Sequence, residues 1–336
     1  MTRPQVLLAM SDDTRRLQFG PEELARLRAV ADLGEPAWTE ELSSPTVRAR
    51  LAEVDVLITS WGCPRLDERV LGAAPRLRAV LHAAGSIRPH VDPVVLDRGL
   101  LVTTAADANA EPVAQYTLAA VLWAFKKVPF LAADARRHRA DWSYRNQRGE
   151  LSGRDRTVVL VGFSRVGRRV AHLLRTVDAG RVLVVDPVVD PDEVRAASAE
   201  PVPLAVALPQ ADVLSLHAPA LPETRHMIGE AQLAALPPGA TLVNTARGAL
   251  VDTAALERAC ATGRLHAVLD VTDPEPLPAG SPLYDLPNVL LTPHVAGSLG
   301  SETRRMSAAA LDELERYVAG RPPRAAVTRR ALAVQA

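Results

Sequence analysis

Short apolar runs recur along the chain, and most are followed by a stretch in which apolar and polar positions alternate with helical spacing. In the first third, residues 6–10, 55–60, 77–83 and 100–105 read as strands, and residues 21–31, 46–53 and 67–73 as helices. A second series of strand runs covers residues 157–162, 181–186, 212–217, 240–245, 267–271 and 288–292. Val and Leu runs without polar alternation belong to strands covered on both faces, hence to parallel sheets. The β–α rhythm predicts a doubly wound α/β fold.

The two series are separated by a long apolar segment, 111–127, a second helical pattern to about residue 140, and a basic stretch at 136–148. A domain boundary is expected around the long helix, because 336 residues exceed one ordinary core. Residues 301–318 read as an amphipathic helix with Met306, Ala310, Leu314, Tyr317 and Val318 on one side. It is expected to return to the first domain. The tail from Gly320 is rich in Arg, Pro and Ala, and its pattern does not settle whether it is ordered.

Lys plus Arg and Asp plus Glu number 39 each, so the net charge is zero and no nucleic-acid partner is expected. Cys63 and Cys260 fit no metal-ligand spacing; two reduced thiols, no metal and a cytoplasmic location are expected. The first residues read as a strand followed by two acids, not as a signal segment. No apolar run approaches bilayer length, so no membrane partner is expected.

The strand at 157–162 runs into Gly162-Phe163-Ser164-Arg165-Val166-Gly167 and then a helix. This is the GxGxxG position with serine at the second glycine. The first glycine permits the turn, the last lets helix and strand pack closely, and the helix N-terminus offers free N–H groups to a pyrophosphate. The Ser164 hydroxyl is also able to donate to phosphate. The next strand ends in Asp186, 24 residues after Gly162, where an acid accepts from ribose hydroxyls and repels a 2′-phosphate. Loop and acid together point to NAD rather than NADP. Asp186 also reads as an ordinary strand-end residue before Pro187.

Arg247, Glu275 and His294 each follow one of the last three strand runs. Ligands of open α/β sheets bind at the carboxyl ends of strands. Each has an ordinary explanation alone: a surface arginine, a solvated acid in a Pro-rich loop, a structural histidine. Together they match what ketone reduction needs. A guanidinium clamps a carboxylate and polarises the adjacent carbonyl, an imidazolium protonates the developing alkoxide, and a carboxylate beside the histidine favours the imidazolium and fixes its tautomer.

The strings Asn244-Thr245-Ala246-Arg247-Gly248, Leu269-Asp270-Val271 leading to Glu275-Pro276, and Thr292-Pro293-His294-Val295-Ala296-Gly297 resemble the signature blocks of the D-isomer-specific 2-hydroxyacid dehydrogenases, including phosphoglycerate and glyoxylate/hydroxypyruvate enzymes. The resemblance covers nearly the whole chain. It implies two doubly wound parallel-sheet domains, a Rossmann NAD domain (106–299) inserted in a flavodoxin-like substrate domain (1–105 plus 300–336). It implies substrate binding by Arg247, support of the histidine by Glu275, and acid/base work by His294. It also implies NAD contacts from Arg165, Val166, Asp186, Thr245, Ala246 and Asp270. The segment His217-Ala218-Pro219, with Thr224 after it, resembles the family's loop beside the cofactor.

Two departures bear on substrate. The family's Gly-rich AGVG-type loop reads Ala84-Gly85-Ser86-Ile87 here, followed by Arg88. Backbone N–H groups of Gly85 and Ser86 suit a carboxylate, whereas Ile87 and Arg88 predict an unusual pocket. Gln115 stands where the family often has an acid. The expected partner is a small anionic 2-hydroxy or 2-oxo acid, and the expected state a homodimer through the apolar helix at 111–125. Two rival readings are an NAD-sensing corepressor-like scaffold and a dehydrogenase of another small anion, phosphite or a phosphonate. Formate chemistry fits less well, because that branch has glutamine where Glu275 stands.

Overall fold

The computed structural model describes residues 3–334. The chain forms two compact units, Met1–Asn109 with Ser298–Ala336, and Ala110–Gly297.

The first unit holds a five-stranded sheet: β1 (Val6–Ala9), β2 (Trp38–Thr39), β3 (Val56–Thr59), β4 (Ala79–His82) and β5 (Leu101–Thr104), in the order β2-β1-β3-β4-β5. Every pairing is parallel. This is the flavodoxin-like order. β1, β3 and β4 are buried throughout, as continuous apolar runs covered on both faces must be. One layer is built around Leu7, Leu57 and Val80, the other around Leu8, Ile58 and Leu81. Alternate residues of each strand thus feed opposite layers.

Helices begin where the sequence supplies caps: Ser44 accepts from Val47 N and Asp67 from Val70 N. The helix Asp12–Gln18 escapes hydrophobic periodicity because its sequence, DDTRRLQ, is mostly polar. Capping by Ser11, acids in its first turn and the Arg15–Asp12 ion pair establish it instead. The C-terminal helix Arg304–Val318 packs on this unit through Met306, Ala310, Leu311 and Leu314. Beyond Gly320, Ala326 bridges Thr103 in antiparallel sense, Glu313 Oε1 accepts from Arg324 N (2.9 Å) and Ala325 N (3.2 Å), and a last helix covers Arg329–Val334. The described part of the tail is therefore bound to the sheet edge, a placement its composition did not reveal.

The second unit holds β6 (Thr157–Val161), β7 (Arg181–Val185), β8 (Glu200–Pro201), β9 (Val213–Leu216), β10 (Thr241–Asn244), β11 (His266–Leu269) and β12 (Val289–Leu291). Their order is β12-β11-β10-β9-β6-β7-β8, all parallel. Counted from β6 this is 3-2-1-4-5-6-7, the Rossmann order with a seventh strand. The order reverses at β6, so a crevice opens beyond the carboxyl ends of β6 and β9. The long helix Ala106–Lys126 covers one face through Ala114, Val121, Ala124 and Phe125, packed with Val158, Leu160 and Val243. Pro112 lies inside it and contributes no N–H to its ladder.

Candidate active site

The turn after β6 is compressed. Gly162 has φ 98°, and a Cβ there would lie 2.6 Å from Ala218 N. A Cβ on Gly167 would lie 2.2 Å from the Gly162 carbonyl oxygen. Neither position tolerates a side chain, and the backbones of three segments meet as a result. Ser164 is the N-cap of the helix Arg165–Leu174, and its Oγ accepts from Gly167 N. Its oxygen is thus committed to the helix. Arg165 and Val166 form the helix's first turn, where N–H groups have no acceptor within the helix.

Asp186 at the end of β7 closes the turn. Oδ2 accepts from Phe163 N (2.7 Å), and Oδ1 from Val188 N (2.9 Å) and Val189 N (3.1 Å). Its carboxylate therefore shapes the loop in addition to any sugar contact. At the end of β9, Ser215 Oγ bonds His217 Nε2 at 2.9 Å. Burial pushes His217 down to about 3, so the ring is neutral, and its buried Nδ1 has no protein partner. Thr224 Oγ1 accepts from Leu221 N (2.8 Å) and donates to Pro219 O (2.6 Å), which folds the loop beyond His217. Glycines without room for Cβ, an open helix N-terminus and an orphaned ring nitrogen suit a dinucleotide with its pyrophosphate at the turn.

Arg247, Glu275 and His294 follow β10, β11 and β12, three neighbouring strands. Asn244 brackets the first loop: Oδ1 accepts from Ala246 N (3.1 Å) and Nδ2 donates to Arg247 O (2.9 Å). Thr245 is buried, its hydroxyl 2.8 Å from that of Thr117. The Arg247 guanidinium donates to Ala246 O at 2.6 Å. Burial lowers its pKa and nearby Glu275 opposes that shift; an arginine keeps its charge under both.

Gly248 joins this loop to the next, because a Cβ there would lie 1.9 Å from the Thr272 carbonyl carbon. Thr253 Oγ1 donates to Asp273 O at 2.6 Å and pins the same segment. Glu275 Oε1 then meets His294 Nδ1 at 2.6 Å. Their side chains are 43% and 51% exposed, so the pair adds little to stability. Its effect is to orient the ring, with Nε2 on the side away from the carboxylate.

Asp270 organises the His294 loop. It is buried and accepts from Thr292 Oγ1 (2.7 Å) and Val295 N (2.8 Å) on Oδ1, and from Ala296 N (2.8 Å) on Oδ2. Its backbone carbonyl accepts from His294 N at 2.9 Å. His294 is held at φ 53°, a region a non-glycine residue seldom adopts.

The family model for the NAD binding domain of D-isomer specific 2-hydroxyacid dehydrogenases matches residues 118–296. A glyoxylate reductase of Aeropyrum pernix is 32% identical over 100% of this chain and 99% of its own length. This chain belongs to that dehydrogenase family. A D-3-phosphoglycerate dehydrogenase of Mycobacterium bovis is 34% identical over 95% of the chain, but the chain spans only 58% of that relative. The crystal structure of the TT0316 protein from Thermus thermophilus aligns with a TM-score of 0.75 and 32% identity, covering 96% of this chain and 100% of that one. The second unit is thus an NAD binding domain.

In the first unit of this dehydrogenase-family chain, the loop after β4 is tightly held. Gln18 Nε2 and Ser60 Oγ both donate to Ala83 O. A Cβ on Gly85 would lie 3.1 Å from Asn109 Nδ2. Ser86 O lies 3.2 Å from Nε2 of the buried His82, which burial pushes down to about 3. Ile87 is fully buried in the layer containing Val80 and Val91 and packs the core. The side chain of Gln115 donates to Glu111 Oε1 one turn earlier.

Asn244 is a positioner whose signal is its residue type, since asparagine bonding its own backbone two residues on is a known turn device. Tyr116 and Thr117 also hold the site's loops, and the sequence offers no signal for them beyond polar groups on an apolar helix. No described helix is long and apolar enough to cross a membrane, and no metal-ligand cluster occurs among the described residues.

Proposed function

We propose that this protein is an NAD-dependent oxidoreductase acting between C2 of a small 2-hydroxy acid and the corresponding 2-oxo acid. The observation that carries the reading is the 2.6 Å contact between His294 Nδ1 and Glu275 Oε1, with Arg247 close enough to feel the same carboxylate.

When bound, NADH supplies the hydride. Gly162, Ser164, Arg165, Val166 and Gly167 hold its pyrophosphate, Asp186 its ribose, and His217, Thr224, Thr245, Ala246 and Asp270 line the remainder. Arg247 binds the substrate carboxylate and draws electron density from the carbonyl. Gly85 and Ser86 are assigned to the substrate by the resemblance. His294, aligned by Glu275, donates its Nε2 proton to the C2 oxygen, and takes it back in oxidation. Glyoxylate comes first among substrates, because the glyoxylate reductase relative matches end to end. A homodimer, which rests on the resemblance, and a cytoplasmic location, which rests on the two unpaired cysteines, belong to the same proposal.

The test is a panel of glyoxylate, hydroxypyruvate, pyruvate, phenylpyruvate and phosphonopyruvate with NADH, followed by absorbance, for wild type and His294→Gln. The variant is expected to lose about 10²–10⁴-fold in turnover, with NADH affinity within a factor of about two. Full turnover in the variant would remove His294 from the chemistry. An NADH-binding protein inert towards every acid would instead favour a sensing scaffold.

A further inference from the structure

Two consecutive residues of the long helix reach two different loops of the site. Neighbouring residues of an α-helix point about 100° apart, as 3.6 residues per turn requires. Tyr116 Oη lies 2.7 Å from Thr292 Oγ1, after β12. Thr117 Oγ1 lies 2.8 Å from Thr245 Oγ1, after β10.

The remaining contacts settle which oxygen donates. Thr292 gives its proton to Asp270 Oδ1 (2.7 Å), so towards Tyr116 it accepts, and the phenol donates. Thr117 gives its proton to Val113 O (2.7 Å), so Thr245 donates to Thr117. One continuous chain then runs from Tyr116 through Thr292 to the Asp270 carboxylate, and from there to the amides of Val295 and Ala296 beside His294. Asp270 is buried, and Thr292 is partly buried. Bonds in such surroundings lose more when one member is left unpaired than exposed bonds do.

We propose that Tyr116 is a positioning residue for the His294 loop, acting through Thr292 and Asp270 to hold His294 in its left-handed backbone conformation and its ring against Glu275. This rests on the functional reading above for the role of His294, but its geometric content does not. Thr117 is the matching tie for the Arg247 loop. The helix is thereby a brace joining both proposed catalytic loops, as well as a cover for the sheet.

The test uses the full chain carrying Tyr116→Phe, which keeps the ring and removes the hydroxyl, and Thr292→Val, which breaks the same chain one step later. Lys126→Ala, exposed at the end of the same helix, is the control. Turnover is expected to fall about tenfold in Tyr116→Phe and at least as far in Thr292→Val. The KM for the 2-oxo acid, the NADH affinity and the melting temperature of Tyr116→Phe should stay near wild type, and Lys126→Ala should match wild type throughout.

Histidine Cε1–H NMR supplies a readout independent of turnover. The His294 resonance, assigned by its absence in His294→Gln, should move in Tyr116→Phe, while those of His217 and His266 stay in place. Wild-type turnover together with an unmoved His294 resonance in Tyr116→Phe overturns the proposal. So does a general shift of all histidine signals with a large drop in melting temperature, which marks ordinary structural damage. If the wild type reduces no 2-oxo acid, the functional reading fails, and the His294 resonance alone still decides whether Tyr116 positions it.

Discussion

Replacing Gly248 by alanine separates orientation from stability more cleanly than any change to the charged residues themselves. The added Cβ would sit 1.9 Å from the Thr272 carbonyl carbon and 2.0 Å from its oxygen, where ordinary contact begins at 3.4 Å. Something must give by about 1.5 Å. Both neighbours are backbone, so no side chain can rotate away. Thr272 starts the segment that ends at Glu275, whose Oε1 sits 2.6 Å from His294 Nδ1. A displacement of that size, passed along three residues, opens the contact to about 4 Å, beyond hydrogen-bond range.

The two consequences are similar in free energy but are read by different assays. Overpacking costs about 1–3 kcal/mol of stability, and losing a half-exposed ion pair adds less than about 1 kcal/mol. A unit of this size should then melt roughly 3–10 °C lower and stay folded at 25 °C. On the proposed function, turnover depends on the aligned His294, and misplacing it costs about 10²-fold or more. The assay is turnover of glyoxylate with NADH beside a melting curve and NADH binding by fluorescence. Expected are a folded protein, little change in NADH affinity and turnover down about 100-fold. A folded variant with near-wild-type turnover would show that the Thr272–Glu275 segment does not transmit its position to His294, and the reasoning would fail.

Acid stability offers an independent check. His266 is stacked on Phe130 at 4.2 Å, and burial, followed by Lys127 and Arg148, pushes it down to about 4. The folded state keeps it neutral, so between about pH 6.5 and 4 the unfolded chain binds the extra proton and stability falls as pH falls. Urea melts should show His266→Phe losing about 2 kcal/mol less than wild type between pH 7 and pH 5; an unchanged slope would place the acid sensitivity elsewhere. Asp186→Ser should weaken NADH binding at least tenfold without a matching gain for NADPH, because three loop amides lose their acceptor. Tight NADPH binding by that variant would mean that charge, not loop shape, governs the position.

Strand runs were readable because each is apolar on both faces; β6, TVVLV, is buried at every position and reads so from its letters. Strands β2 and β8 were not, since two residues each carry no periodicity. The helix Asp12–Gln18 was hidden for a different reason: its stability lies in caps and ion pairs, which hydrophobic spacing does not register. The burial of Ile87 was not legible from its position in a loop, because burial is decided by the layers on either side of the sheet.

The candidate site divides in the same way. Groups that would touch a ligand stood out because chemistry restricts them to a few residue types: a guanidinium, a carboxylate, an imidazole, glycines at a turn. Groups that hold those residues in place did not, because any hydroxyl or amide at the right point in space can serve. Asp270 shows the overlap. It looked like a ligand contact, yet three hydrogen bonds commit its carboxylate to the loop carrying His294. The φ of 53° at His294 makes that commitment necessary, since an unsupported loop would relax to a commoner backbone conformation and carry the ring away from Glu275. The ring's alignment is thus a property of buried neighbours that no one-dimensional pattern ranks, and the Tyr116 and Gly248 substitutions perturb that alignment while leaving every proposed reacting group in the chain.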